Sequence, residues 1–326
     1  MKNKEKPSNS YHQPLERSLL LADVCEMYYL DGMSQAEIGR KIGLTSSMVS
    51  RLITEAHERK MVNIRIHRPL KSDFDLENAL IEKFGLQAAR VVTIRGYQFS
   101  LLKYLGEAGA QIFRQYIQPD KVIGVAWGTT LSAVVDAFDA NQTVPSKLVE
   151  LTGALGSRSS EYEGHGIITR LASKLGAEAH LLNAPFLCSS EATAQALYED
   201  QIISQPLKLA SQASLALMGI GSLHPEMATF LKFGYLSKSL VKTLQADGAV
   251  GNVCGLYFDI DGNPACSDFC QKIITISREK LLSIPDRIGV SGGPDKVEAI
   301  LGAVRGGYVN ILVTDNITAQ SMLDHP

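Results

Sequence analysis

The sequence predicts an α/β protein, in which a small N-terminal winged helix-turn-helix precedes a large doubly wound α/β domain. Three observations predict it. Between Ser34 and Lys60 the pattern reads helix, glycine turn, helix, and each helix opens on its own hydroxyl cap. Beyond Val91 short apolar strands alternate with helical stretches, as in a parallel sheet covered on both faces. The length of 326 residues, 45% hydrophobic and 20% charged, suits two globular domains. The expected boundaries are a loose tail at 1–14, the winged helix-turn-helix at 15–68 and the α/β domain at 69–326.

The tail, Met1–Pro14, is dominated by Lys, Asn, Ser and Pro and offers little to a core. Leu20, Val24 and Met27 then recur at helical spacing, and Asp31-Gly32 ends that run. Ser34 and Glu37 form the Ser-x-x-Glu capping box of a second helix with Ala36, Ile38 and Ile42 as its apolar positions and Gly43 as its exit. Thr45 caps a third helix carrying Val49, Leu52 and Ile53. The alternation Val62, Ile64, Ile66 predicts a strand, read as the wing. Pro69–Asp73 is the expected linker, and Phe74–Phe84 the helix after it. The strand candidates are Val122–Ala126, Leu148–Leu151, Ala179–Leu182, Leu215–Ile220, Cys254–Phe258, Arg287–Ser291 and Val309–Val313. Ile167–Leu175, Glu191–Tyr198 and Lys296–Val304 are helical stretches between them.

Composition excludes several classes. The longest apolar runs stop far short of the roughly 18 residues of a membrane span, and the polar tail lacks the apolar core of a signal peptide. Five cysteines without an export signal predict a reducing, cytoplasmic setting and no disulfide framework. Cys266 and Cys270 lack the second ligand pair of a zinc site, so no metal and no cofactor is expected. The net charge of −2 is unevenly spread. Residues 1–70 hold 11 basic and eight acidic side chains, the remainder 21 and 26. A slightly basic head on an acidic body fits a nucleic-acid module joined to something else.

In a helix-turn-helix the second helix enters the major groove. Its candidate readers here are Thr45, Ser46, Ser47, Ser50 and Arg51, small hydroxyls for close approach and one arginine for a guanine edge or a phosphate. Arg40, Lys41 and Arg65 are placed to meet backbone phosphates. In the body, Val122–Leu131 runs a buried strand into Gly128-Thr129-Thr130 and a helix start, an anion site of backbone amides and hydroxyls. Further loops follow strand ends in the same way: Gly153–Ser157, with Gly156 and Ser157; Gly251–Cys254, with Asn252 and Cys254; and Ser291–Lys296, with Gly293 and Lys296. Ligands of open α/β sheets bind beyond the strands' carboxyl ends, where such loops converge. Ser190 reads equally as a pocket residue or as a plain helix cap. His165 and His224 read as ordinary surface or core histidines, Trp127 as packing, and Asp259–Asn263 as a turn.

The segment Met33–Leu52 resembles the helix-turn-helix of the SorC family of bacterial sugar-responsive transcriptional regulators. Gly124–Thr130, Gly248–Asn252, Ser291–Lys296 and Gly306–Asp315 are similar to that family's effector domain, so the likeness runs from about Leu15 to the C-terminus. The resemblance implies a winged helix-turn-helix on a domain like the sugar-phosphate isomerases and deaminases. It implies a homodimer or homotetramer on double-stranded operator DNA, answering to a small phosphorylated carbohydrate. It implies that Gly128, Thr129, Thr130, Gly293 and Lys296 hold the phosphate, with Asn252 and Cys254 near the sugar. Some relatives carry Lys or Arg in the loop after the second strand, where this chain has Thr152-Gly153-Ala154; that argues against Schiff-base capture from there. An isomerase or deaminase with an added DNA-binding head is the alternative, but it needs a poised general base, which no motif supplies.

Overall fold

The computed structural model describes residues 12–62, 71–94, 101–139, 143–154, 164–224, 237–266 and 268–326. The chain separates into two compact units, Met1–Pro69 and Leu70–Pro326.

The small unit holds α1 (His12–Tyr29), α2 (Gln35–Ile42) and α3 (Ser46–Glu58). Helix α1 begins three residues before Leu15, so His12–Pro14 belong to it and not to a tail. Proline is tolerated there because first-turn amides have no intrahelical acceptor. The rest of the expected tail lies outside the described residues. Ser34 and Glu37 close the capping box: the Glu37 amide donates to Ser34 Oγ, and the Ser34 amide donates to the Glu37 carboxylate. The Ser34 hydroxyl and amide together hold that carboxyl below its ordinary range. Gly43 leaves α2 at φ 73, a left-handed exit that costs glycine no steric penalty, and Thr45 accepts the Met48 amide to start α3.

Leu21, Val24, Ile38, Val49, Leu52, Ile53 and Ala56 bury one shared core, and each large aliphatic contributes about 1.5–3 kcal/mol. Ala36, expected on that face, is exposed. Glu55 bridges α1 to α3 by pairing with Arg17 at 2.6 Å. Beyond Val62, the expected wing strand lies outside the described residues, as does Arg65.

In chain order the large unit runs α4 (Phe74–Phe84), β1 (Ala88–Val92), α5 (Leu101–Tyr116), β2 (Val122–Val125), α6 (Thr129–Ala137), β3 (Lys147–Glu150), α7 (Gly164–Leu175), β4 (Glu178–His180), α8 (Glu191–Glu199), α9 (Gln201–Ala210), β5 (Leu215–Gly219) and β6 (Gly221–Ser222). It continues with α10 (Lys238–Ala246), β7 (Gly251–Val253), β8 (Leu256–Phe258), α11 (Arg278–Leu282), β9 (Asp286–Val290), α12 (Val297–Arg305), β10 (Ile311–Asp315) and α13 (Asn316–Asp324). Asp73, expected in the linker, caps α4 by accepting the Leu76 amide.

Seven strands form one sheet in the order β1-β10-β9-β5-β2-β3-β4, with every pairing parallel. All five residues of β10 are buried, which is why these strands read as unbroken apolar runs. Strand β1, which the alternation read from Val91 onward does not include, is an edge strand paired with β10. The expected strand at Cys254–Phe258 is not part of this sheet. It falls on a hairpin of β7 and β8, in a separate antiparallel sheet β6-β7-β8. The hairpin turns on Cys254 and Gly255, at φ 54 and 77, the positive pair a two-residue hairpin demands.

The strand order changes direction at β2, with β3 and β4 on one side and β5 on the other. Cys266 and Cys270 are bonded to each other, a departure from the expectation of no disulfide. A four-residue spacing brings their Cα atoms to 6.0 Å, within bridging range. Among the described residues, no helix is long and apolar enough to cross a membrane.

Candidate functional site

A cavity of about 70 Å³ opens where β2 and β5 end, at the point where the strand order reverses. Gly128, Thr129 and Thr130 reach it from the start of α6, Asn252 and Cys254 from the β7 hairpin, and Lys296 from the turn before α12. Gly128 sits at φ 136, a conformation that a side chain strains, and it caps α6 without any side-chain hydrogen bond. The first amides of α6 and the positive end of its dipole are therefore left for an anion. The Lys296 ammonium is held by the Ile220 carbonyl, 2.7 Å away, which fixes the charge at the cavity instead of in solvent.

Asn252 is buried and its Nδ2 has no partner among the described residues. A buried amide without an acceptor costs about 1–3 kcal/mol, so this one suits a ligand oxygen. Cys254 is buried as well, and burial pushes its thiol up to about 12; it is a neutral wall, not a nucleophile.

Not all the expected residues converge. Ser190 does not line the cavity: it caps α8, accepting the Thr193 amide at 3.1 Å, so the plain reading of that serine holds. Gly293 does not line it either, because its amide is taken by Asp315 Oδ2 and Thr318 Oγ1, both at 2.8 Å. Its part is to turn the loop that carries Lys296. Gly156 and Ser157 lie outside the described residues. Thr152, Ser222 and Trp127 line the cavity without having been singled out for it. Trp127 does pack, edge-on to Phe186 at 5.5 Å, and its indole donates to the Gly153 carbonyl, so this lining residue is fixed on the cavity wall.

Another group was invisible in sequence. Glu150, at the end of β3, is buried, accepts the Leu182 amide at 2.7 Å and lies 3.2 Å from His165 Nε2. Burial pushes its carboxyl up to about 8. The folded state thus favours the neutral acid: that contribution is complete below about 4.5 and is lost as pH rises through about 8. Glu150→Gln, neutral throughout, should match wild type at pH 4 and exceed it by up to about 5 kcal/mol at pH 8.5. Thermal unfolding at both values checks this, and a pH-independent difference would show that Glu150 does not titrate in the window.

In the small unit, Arg40 and Lys41 end α2, and with Thr45, Ser46, Ser47 and Arg51 they are exposed, while Ser50 is half-buried. The opposite face of α3 supplies the core, so the two faces are cleanly divided. The Thr45 hydroxyl also accepts the Met48 amide, so its first task is to start the helix.

Comparison with known proteins places this geometry in a family. Residues 68–324 match the Sugar-bind family of sugar-binding domains. The chain is 28% identical over 310 residues to the sorbitol operon regulator of Klebsiella pneumoniae, covering 93% of this chain and 97% of that protein. It is 28% identical to the deoxyribonucleoside regulator of Bacillus subtilis, over 95% of this chain and 98% of that one. It is 30% identical to the transcriptional regulator LsrR of Escherichia coli K12, over 93% and 94%. The crystal structure of full-length SorC from Klebsiella pneumoniae superposes with a TM-score of 0.71, at 28% identity, over 93% of this chain and 98% of that chain. With the cavity at the sheet's switch point and a helical head before it, the chain belongs to the SorC family of sugar-responsive transcriptional regulators.

Proposed function

We propose that the small unit is a winged helix-turn-helix that reads double-stranded operator DNA, and that the cavity takes the phosphate of a small phosphorylated carbohydrate which alters DNA binding. The observation that carries the reading is the convergence on one cavity of an uncapped helix start, two threonine hydroxyls and a fixed lysine. A dianionic phosphate uses all three, accepting from the helix amides and hydroxyls and placing its charge beside the ammonium; a neutral sugar would draw on the donors but not on the charge. In this reading the large unit is an isomerase- or deaminase-like scaffold used for sensing, not turnover, and the protein works in the cytoplasm beside its DNA. Relatives named as operon and nucleoside regulators support it. Thermal-shift screening of a phosphosugar panel tests it, since a ligand of the folded state raises the melting temperature. Turnover of any such sugar would favour the enzyme instead.

On the DNA side, Arg51→Ala should weaken operator binding by about 1–3 kcal/mol and leave the fold intact. Gel-shift titration at fixed salt measures it, and unchanged affinity would remove α3 from the role of reader. One such module reads a half-site, so the working form is a homodimer or homotetramer. Light scattering that finds only monomer, with and without DNA, would overturn that part.

A further inference from the structure

We propose that Cys266 and Cys270 are a reversible thiol–disulfide switch whose state reaches Trp127 on the cavity wall; only its effect on ligand affinity rests on the function proposed above. Position separates this pair from the other cysteines. Cys25, Cys188 and Cys254 are buried, and burial pushes their thiols up and makes them inert. Cys266 and Cys270 are half-buried and joined. Cys270 also lines a surface groove with Lys208 and Lys280, whose positive charges attract an anionic small disulfide. A regulator bound to DNA works where thiols are kept reduced, and disulfides in that setting are mostly transient and redox-sensing. The loop closed here is very short, so the bridge constrains the unfolded chain little and acts locally instead.

The local effect has a defined route. The Cys270 carbonyl accepts the Ile273 amide. The following residues then run alongside Phe186–Cys188, with Cys188 N donating to Lys272 O at 2.8 Å and Ile274 N to Phe186 O at 2.9 Å. Phe186 in turn meets Trp127 edge-on. Within the bridged segment, Phe269 packs edge-on against Tyr257, which lies opposite Asn252 in the β7–β8 register. Opening the bridge frees Phe269 and Cys270 to repack, and both routes end at residues lining the cavity.

The chemistry balances with oxidised glutathione as the oxidant. One cysteine thiolate attacks a glutathione sulfur and displaces the first glutathione thiolate, leaving a mixed disulfide. The second cysteine thiolate attacks the protein sulfur of that bond, forms Cys266–Cys270 and releases the second glutathione. Two cysteine thiols are oxidised, one glutathione disulfide is reduced to two thiols, and the two protons pass to the released thiolates.

The full chain, with Cys266→Ser and Cys270→Ser variants, is equilibrated in mixtures of reduced and oxidised glutathione. Alkylation and mass spectrometry count the thiols; the emission of Trp127, the only tryptophan, reports the cavity wall. The switch predicts the reversible loss of two thiols, an emission change with the same midpoint, and neither in the serine variants; reduced wild type is the folded control. A pair that never closes or never reopens, or that closes with emission unchanged, overturns it. Inorganic phosphate then probes the cavity, with a several-fold difference in affinity expected between the two states. Equal affinity overturns control of the ligand. Phosphate binding to neither state while the emission still switches would leave the switch standing and remove the phosphate reading instead.

Discussion

Asp315→Ala is expected to destabilise the large unit by about 3–5 kcal/mol. The carboxylate is fully buried at the end of β10 and accepts four hydrogen bonds. Oδ1 takes the amides of Ile317 and Thr318, at 3.1 and 3.0 Å, and so caps α13. Oδ2 takes the Gly293 amide at 2.8 Å and the Thr318 hydroxyl at 2.6 Å. Truncation takes the acceptor from the Ile317 and Thr318 amides and the Thr318 hydroxyl, each at about 1–3 kcal/mol before relaxation, and leaves the Gly293 amide with Thr318 Oγ1 alone. The loop that delivers Lys296 is released as well, so ligand affinity should fall with stability. Urea unfolding followed by Trp127 fluorescence reads the large unit alone, because the single tryptophan lies within it. A midpoint equal to wild type would mean that water replaces all four bonds.

Lys296→Ala should lower affinity for the proposed phosphorylated effector by about 1.5–3 kcal/mol, or roughly 10- to 150-fold. The ammonium contributes a charge-assisted bond at a site where the Ile220 carbonyl has already oriented it. Its removal deletes the one cationic side chain among the described residues lining the cavity. Thr130→Ala should act in the same direction but by only about 0.5–1.5 kcal/mol, having lost one neutral donor. Effector-free DNA binding should be unchanged in both variants, because these residues lie in the large unit and α3 in the small one. Calorimetry with the phosphorylated and dephosphorylated sugar decides the matter: equal affinity for both, or an unaffected lysine variant, would mean that the phosphate site is misplaced.

What could be read without coordinates was local. Ser34, Glu37, Gly43 and Thr45 act within four residues of themselves, and the structure gives each the hydrogen bond or backbone angle that its spacing predicts. Strands buried on both faces announce themselves as apolar runs; six of the seven expected strands lie in the parallel sheet, although β4 at its edge is largely exposed. The seventh, at Cys254–Phe258, has the same apolar composition, but nothing in it signals that the ladder partner is the segment just upstream. The loops Gly128–Thr130 and Ser291–Lys296 were legible as strand-end turns; that Lys296 enters the cavity and Gly293 does not was not. That distinction depends on Asp315, 22 residues further along, taking the Gly293 amide. Glu150 was silent for the same reason. A glutamate ending a strand reads as exposed, and only the packing of Leu182 and His165 around it reveals a buried acid.

The pairing of β1 with β10 bears on the order in which the chain can fold. Ala88 lies opposite Ile311 and Val92 opposite Asp315, so the first strand of the large unit finds its partner only after more than 200 further residues have been made. Helix α4 waits too, since Lys83 donates to the carbonyls of Leu323 and His325 at the far end of the chain. The three-helix head, built from local contacts alone, can form while synthesis continues; β1 stays without its ladder partner until the last strand arrives. On the ribosome, the three-helix head therefore exists before the large unit is complete, and loss of the final strand and helix would strip β1 of its ladder partner and expose β9 as the new edge.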